Sequence, residues 1–311
     1  MKIVVVGPGA MGLLFAAFLS RTKEDIWVLD KNSERCQKLK KNGFKVAGLS
    51  VFDVRNVAFC SDAKEVKDAQ IWIICTKSYH TKDVIKGIIK SVSDSASVMS
   101  LQNGIGNMEL LSEEFGPERV LVGVTNMAAV LDKENYLRHT GTGETVFGCA
   151  SGNMSVALKD LRTLFQKAGI PVKISKDVKS FLWTKLVINA GINALSVLTR
   201  LKNGSLTQHD GARKVFVDAV TEAVKVAKRK KIKLVYDDML AKAESVCQSS
   251  AENYSSMLED VLHQRKTEID FINGAIVRQG KSLGIKTPAN YFLFNLVKTI
   301  EESYSSQIQK R

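Results

Sequence analysis

The sequence has few of the residues that build disulfide frameworks or metal sites. It contains five cysteines and four histidines in 311 residues. The cysteines are odd in number and scattered, and no Cys-x-x-Cys pair occurs. This pattern argues against a disulfide framework and against a zinc site. The histidines lie far apart and show no paired-ligand spacing, so we predict no bound metal ion.

The sequence also has little that is typical of secretion or membrane insertion. No charged segment followed by an apolar run opens the chain, because the first apolar run has the pattern of a strand. The best candidate for a membrane span, residues 186–198, is interrupted by asparagine, glycine and serine. We therefore expect a soluble cytoplasmic protein that does not contact a membrane.

The charge is unbalanced, with a formal net charge of +13. The basic residues are spread along the chain, and no basic strand interleaved with aromatic residues occurs, which disfavours a nucleic-acid interface. The densest basic run, residues 228–231, follows an amphipathic segment and is typical of a solvated helix end. A positive field attracts small anions, so we predict a small anionic ligand and no nucleic acid.

A glycine-rich segment follows the first apolar run. Residues 3–6 predict a buried parallel strand, and residues 13–19 predict a buried helix. Between them stand Gly7, Pro8, Gly9, Ala10, Met11 and Gly12, the Gly-x-Gly-x-x-Gly arrangement in the context that a dinucleotide site requires. The three glycines allow, in order, a tight turn, close approach of backbone to a pyrophosphate, and packing of helix on strand. A glycine-rich turn that binds nothing is the alternative.

Strand and helix patterns alternate through the first half of the chain. Apolar runs near residues 26–29, 69–75, 97–101 and 120–124 are separated by helical stretches, which predicts a mostly parallel sheet. Residues 138–147 suggest antiparallel strands at the sheet edge. After residue 176 the periodicity is helical, with breaks at residues 203–204, 231–235 and 284–288. We predict a Rossmann-type doubly wound α/β domain over 1–176 and an all-α domain over 177–311.

Three polar residues of the second half share one helix face. Lys185, Asn189 and Asn193 are spaced i, i+4 and i+8 among apolar neighbours. A buried lysine is rare unless it is paired or functional, and burial lowers its pKa. The stripe is either the wall of a catalytic site or a packing ion pair with polar neighbours.

Other polar residues stand at predicted element ends. Thr267 and Asp270 fit a capping box, which places Glu268 in the first turn of a helix, where it is either functional or a surface carboxylate. Lys77 and Asn103 each follow the end of a predicted parallel strand. Ligands of such sheets bind beyond the carboxyl ends of the strands, so we expect both residues to lie near Gly9.

Taken together, these segments resemble the ketopantoate reductase (2-dehydropantoate 2-reductase) family over essentially the whole chain. The matching segments are the glycine fingerprint and residues 76–78, 102–107, 182–189, 192–196, 255–258 and 267–274.

The resemblance implies a role for each of the polar candidates. It implies that Lys185 is the catalytic lysine and Glu268 the essential glutamate. It implies that Asn103 lies near the nicotinamide and that Lys77 lies at the cofactor crevice. Substrate binding is implied for Asn103 and for Asn189, Asn193 and Ser256.

The resemblance also implies an activity, the NADPH-dependent reduction of 2-dehydropantoate to (R)-pantoate on the path to pantothenate and coenzyme A. We expect a monomer or a homodimer. Two alternatives remain: a related reductase of another 2-keto acid, and a non-catalytic NAD(P)-binding regulatory protein. The presence of both Lys185 and Glu268 argues against the second.

The chain departs from the family at the end of the second predicted strand. Lys31 stands where the family usually has a basic residue that holds the 2′-phosphate of NADPH. Asp30 precedes it, at the position where an acidic side chain binds the ribose hydroxyls of NADH. We therefore expect NADP as the cofactor, with NAD also accepted because of Asp30.

Overall fold

The computed structural model describes residues 1–307, which contain twelve strands and eleven α-helices. The elements of the first half are β1 Lys2–Val6, α1 Ala10–Leu19, β2 Asp25–Leu29, α2 Ser33–Asn42, β3 Phe44–Gly48, β4 Phe52–Val54, β5 Ala58–Cys60, β6 Ile71–Ile74, α3 Thr81–Ile88, β7 Ser97–Ser100, α4 Asn107–Phe115, β8 Val120–Thr125, β9 Ala128–Lys133, β10 Tyr136–Gly141, β11 Thr145–Cys149, α5 Val156–Ala168 and β12 Val172–Ile174. The helices that follow are α6 Val178–Thr199, α7 Asp210–Arg229, α8 Met239–Ser249, α9 Ser256–Leu262, α10 Asn273–Ser282 and α11 Pro288–Glu302.

The chain forms two compact units. The first consists of Met1–Gln102 and Asn107–Val178, and the second of Asn103–Gly106 together with the chain from Lys179 onward. The sequence places Asn103–Gly106 in the first domain, whereas their contacts group them with the second unit. Ile105 N–H donates to Phe271 O at 3.2 Å, and a Cβ at Gly104 would lie 2.4 Å from the same oxygen. The two segments in this backbone contact are far apart in the sequence, so no local sequence pattern predicts it.

The first unit is organised around an eight-stranded sheet in the order β12-β11-β8-β7-β6-β1-β2-β5. All neighbouring pairs are parallel except β8 with β11. From β5 to β8 the order is that of the doubly wound dinucleotide-binding fold, whose ligands bind where the strand order reverses, here between β1 and β6. The predicted fold class is confirmed.

Helices cover the sheet. Helices α1 and α5 share one core with Ile3 and Val5 of β1. Val4 points to the opposite face and is also fully buried. Helix α4 packs on β7 and β8 with residues outside that core.

The predicted antiparallel edge is only partly right. Strand β11 does pair antiparallel with β8, but β12 lies outside it at the sheet edge. Residues 136–141 belong to a separate four-stranded sheet, β4-β3-β10-β9, which contacts α1. The glycine- and threonine-rich sequence there indicates strands, but it does not indicate which strands they pair with.

The described part of the second unit is helical, as predicted. The predicted breaks at residues 203–204, 231–235 and 284–288 fall between successive α-helices, except that Pro288 already begins α11, and residues 203–204 begin a 3₁₀ segment. The basic run 228–231 lies at the C-terminal end of α7 and is exposed, as expected for a solvated helix end. Helix α6 is the one helix within residues 1–307 that is long and apolar enough to cross a membrane, with 22 residues and a mean hydropathy of 1.4. Of that apolar window, 67% is buried inside the protein, and its side chains join the helical core.

Candidate active site

The glycine turn of the first unit has the geometry of a nucleotide cradle. Gly7 has φ +98°, and a Cβ on Gly12 would lie 2.0 Å from Gly7 O, so neither position accepts a side chain. Gly9 is exposed and nothing lies within 4 Å of the place of its Cβ. It begins α1 without a side-chain cap, and the first turn of α1 has no acidic residue. The backbone N–H groups there are suited to an anion such as a pyrophosphate.

A buried polar network holds the segment after β6 against this turn. A Cβ on Gly7 would lie 2.6 Å from Thr76 Cγ2, so the two segments touch. Gln102 Nε2 donates to Thr76 O at 3.1 Å and to Thr81 Oγ1 at 2.8 Å, and Thr81 Oγ1 donates to Asn107 Oδ1 at 2.8 Å. Half-buried Lys77 follows Thr76 directly. Lys77 is thus next in the chain to the residue that contacts Gly7, and its role at the cofactor remains a prediction.

The end of β2 lies beside the same cradle. Gly7 N–H donates to Leu29 O at 2.9 Å, and the next residue, Asp30, is only 6% exposed. The Asp30 carboxylate accepts a hydrogen bond from Nε of Arg35, in the first turn of α2. Lys31 is exposed. Arg35 was not predicted as a site residue. Its position in the first turn of α2, where a positive charge opposes the helix dipole, is the sequence feature that could have indicated it.

The central polar residue of the second unit is Lys185, half-buried on α6. Burial lowers its pKa from the ordinary 10.5 to about 8, and the negative charge of Glu268 acts in the opposite direction. A lysine with this pKa is mostly an ammonium at neutral pH, yet it releases its proton far more readily than an exposed lysine.

Glu268 is held in a turn and does not begin an α-helix. It precedes a single 3₁₀ turn, Ile269–Phe271, and is 5% exposed. Asn103 Nδ2 donates to Glu268 Oε2 at 3.2 Å. The structure thus joins Lys185, Glu268 and Asn103 within one unit.

The predicted capping box is wrong. Thr267 Oγ1 accepts from the N–H of Ile269, two residues on, and the Asp270 carboxylate pairs with Lys298 of α11 at 3.3 Å. A tertiary ion pair and a two-residue turn have taken the place of the local helix cap. The surface-carboxylate alternative for Glu268 is also excluded by its burial.

The remaining predicted substrate residues lie on α6 and α9 of the same unit. Asn189 is half-buried, and Asn193, 5% exposed, lies one turn further along α6. Ser196 of the same helix bonds Ser255 at 2.6 Å, and Ser255 caps α9 by accepting from Leu258 N–H. Ser256 follows as an exposed first residue of α9. The contact that the structure shows with α6 is therefore made by Ser255, and Ser256 stands next to it.

Asn273 is a second residue that the sequence analysis did not single out. This fully buried side chain donates to Ala190 O of α6 at 2.9 Å and to Asn290 Oδ1 at 3.0 Å, while its own oxygen has no partner. It fastens the chain just after the Glu268 turn to the helix that carries Lys185.

No metal site accompanies these residues in the described chain. Within residues 1–307, no group of three or more His, Cys, Asp or Glu side chains is arranged to hold a metal ion.

Comparison with known families matches both units. Residues 3–152 match the family model described as "Ketopantoate reductase PanE/ApbA", and residues 177–301 match "Ketopantoate reductase PanE/ApbA C terminal". A 2-dehydropantoate 2-reductase from Pyrococcus horikoshii is 31% identical over 301 residues, which cover 97% of this chain and 98% of the relative.

Solved structures agree with the sequence matches. A PanE/ApbA family ketopantoate reductase from Ralstonia eutropha has a TM-score of 0.90 at 30% identity and covers 98% of this chain and 100% of its own. A D-mandelate dehydrogenase solved with NADH and anilino(oxo)acetate has a TM-score of 0.91 at 27% identity, with 98% and 100% coverage.

Proposed function

Since this chain belongs to the ketopantoate reductase family, we propose that it reduces 2-dehydropantoate to (R)-pantoate with a nicotinamide cofactor. The observation that carries the proposal is the partly buried lysine beside a buried glutamate, Lys185 with Glu268, in a unit that follows a nucleotide cradle in the chain. In this proposal residues 1–176 bind the cofactor and residues 177–311 act on the substrate.

Lys185 is the proposed proton donor. The bound cofactor supplies a hydride to the keto carbon, and negative charge then develops on the keto oxygen. An ammonium at that oxygen stabilises the charge and protonates it to give the hydroxyl group. A pKa of about 8 suits this task, because the group is charged at neutral pH and gives up its proton easily.

Glu268 and the amides are the proposed positioning and binding groups. Glu268 orients the Lys185 ammonium and accepts from the substrate hydroxyl, while Asn103, bonded to Glu268, fixes its carboxylate. Asn189, Asn193 and Ser256 offer hydrogen bonds to the hydroxyl and carboxylate of the keto acid. The net charge of +13 favours the approach of this anion.

For the cofactor we propose that residues 7–12 and Lys77 bind the pyrophosphate side of NADP or NAD, with Asn103 near the nicotinamide. NADPH is preferred because Lys31 is exposed where a 2′-phosphate is expected, and NADH is accepted more weakly, because Asp30 offers a ribose acceptor only when its carboxylate is released from Arg35. The preference is accordingly weaker than in relatives that lack the acid.

A second candidate function is the reduction of another 2-keto acid. The D-mandelate dehydrogenase named above is as similar in fold as the ketopantoate reductase, and the general acid and cofactor cradle serve any 2-keto acid. Only the groups that meet the substrate's alkyl part separate the two functions.

The cellular setting of the proposal is the pantothenate and coenzyme A pathway in the cytoplasm. We propose a monomer or homodimer that binds neither nucleic acid nor membrane. The proposal that it binds no nucleic acid is supported by the absence of a groove-reading motif in the sequence.

The proposal is tested by steady-state kinetics with purified protein. Ketopantoate and a 2-aryl keto acid are each assayed with NADPH and with NADH. We expect the highest kcat/KM with ketopantoate and NADPH. A higher kcat/KM with the aryl substrate supports the second candidate, and no turnover of any keto acid refutes both.

A further inference from the structure

The ion pair between Asp30 and Arg35 lies at the cofactor cradle but belongs to neither the glycine fingerprint nor the catalytic group. Asp30 is the first residue after β2, and its N–H donates to Cys60 O at 3.1 Å. Its carboxylate is buried and accepts from Nε of Arg35. The ion pair therefore engages the carboxylate of Asp30, which the sequence alone predicts to bind the ribose of the cofactor.

The local structure keeps Arg35 in place. Asn32 caps α2 by accepting from the backbone N–H of Arg35 at 3.0 Å, which fixes Arg35 in the first turn. A cation there is unfavourable to the helix dipole, so the pairing with Asp30 offsets an otherwise destabilising position. Removal of the partly exposed arginine would leave the buried carboxylate of Asp30 without its partner.

Arg35 is partly exposed, with 29% of its side chain accessible to solvent, whereas Asp30 is buried. Asp30 is the one hydrogen-bond partner that the structure shows for the guanidinium within residues 1–307, and it engages Nε. A guanidinium carries five N–H donors in a fork that matches phosphate geometry. The terminal nitrogens are thus available to an anion at the end of β2.

We propose that Arg35 sets the cofactor preference of this protein by withholding the Asp30 carboxylate from the ribose hydroxyls of NADH while presenting its terminal nitrogens to the 2′-phosphate of NADPH. The inference rests on the proposed use of a nicotinamide cofactor. It explains how a chain with an acid at the NADH position keeps NADPH as its cofactor, and it assigns the decisive role to a residue five positions further along the chain.

The experiment measures cofactor binding directly, without substrate. Dissociation constants for NADPH and NADH are obtained from the fluorescence of the reduced nicotinamide for wild type, Arg35→Ala and Arg35→Gln. Lys38→Ala is the matched control, because Lys38 carries the same charge on the same helix and pairs with exposed Glu34 at 2.9 Å. Thermal unfolding confirms that each variant is folded.

In both Arg35 variants we expect the ratio Kd(NADH)/Kd(NADPH) to fall at least about tenfold, or about 1.4 kcal/mol, and in Lys38→Ala less than about threefold. NADH itself should bind more tightly to Arg35→Ala, since Asp30 is released. In an Asp30→Asn background the same Arg35→Ala change should leave NADH binding within about twofold.

Two results overturn the inference. A folded Arg35→Ala and Arg35→Gln with an unchanged ratio would show that the pair is only structural. An equal gain in NADH affinity with and without Asp30 would show that Arg35 does not act through the carboxylate. A wild type that binds both cofactors but reduces no keto acid would refute the proposed function and leave this inference standing.

Discussion

The pH dependence of catalysis is the sharpest test of the role proposed for Lys185. Burial lowers the pKa of this lysine from 10.5 to about 8, although the charge of Glu268 opposes the change. At about 1.36 kcal/mol per pKa unit, the site disfavours the ammonium by about 3 kcal/mol relative to water. About nine tenths of the lysine is still protonated at pH 7.

Reduction of a keto group requires the ammonium form, so the sign of the effect is fixed. We expect kcat/KM for ketopantoate to be level at and below about pH 7, to be halved near pH 8 and to fall about tenfold for each further pH unit. Glu268→Gln removes the charge that raises the pKa of Lys185, so the alkaline limb should move to lower pH. The measurement is the rate of loss of reduced nicotinamide at saturating cofactor across this range.

The matched variants separate chemistry from general charge effects. Lys185→Ala should lower kcat by about 10²- to 10⁴-fold with little change in cofactor binding, and its residual rate should lack the limb near pH 8. Lys179→Ala removes an exposed lysine from the same helix and should leave both rate and profile unchanged. The reasoning is refuted if wild-type kcat/KM stays level to pH 10, or if Lys185→Ala keeps more than half of the turnover.

Three further predictions follow from the same residues. Glu268→Ala should lose activity with an unchanged circular dichroism spectrum, because the residue precedes a single 3₁₀ turn and is not part of an α-helix; unchanged kinetics would show that its role is only structural. Asp30→Gly should raise the ratio of kcat/KM with NADPH to that with NADH, and Lys31→Ala should lower it; a change below about threefold in both variants would remove the end of β2 from cofactor choice. Titration with duplex DNA at physiological salt should show no tight, sequence-dependent binding, and its detection would contradict the steering role assigned to the net charge.

The sequence predicted the fold wherever one local pattern decided the structure. The β-branched run before Gly7 and the glycine spacing define β1, its turn and α1, because each of these is fixed by residues adjacent in the chain. The same holds for the breaks between helices of the second unit. The sequence did not predict the contacts between segments that are far apart in the chain. The segment Asn103–Gly106 groups with the second unit through Phe271, and residues 136–141 pair in a separate sheet.

The candidate site shows the same difference between features set by neighbouring residues and features set by distant ones. Helical spacing alone placed Lys185, Asn189 and Asn193 on one face of α6, since a single helix relates them. The degree of burial of these side chains and the identity of their partners depend on other elements of the fold, so the sequence did not predict them. The order of Asp30 and Lys31 on an extended strand left open which one points into the protein, and the answer depends on Arg35 of the next helix. Asn273 was missed because its partners, Ala190 and Asn290, are far from it in sequence.

Helix α6 connects the composition of the chain with its proposed chemistry. It is apolar enough to resemble a membrane span, yet 67% of its apolar window is buried in protein. An ammonium on a surface helix would keep an ordinary pKa, because water would solvate it. The lowered pKa of Lys185 is caused by burial among apolar side chains, to which its neighbours on α6 contribute together with the helices packed against them. Replacing such a neighbour by a polar residue that admits water should raise that pKa toward 10.5 and move the alkaline limb upward, even though the new residue does not touch the substrate.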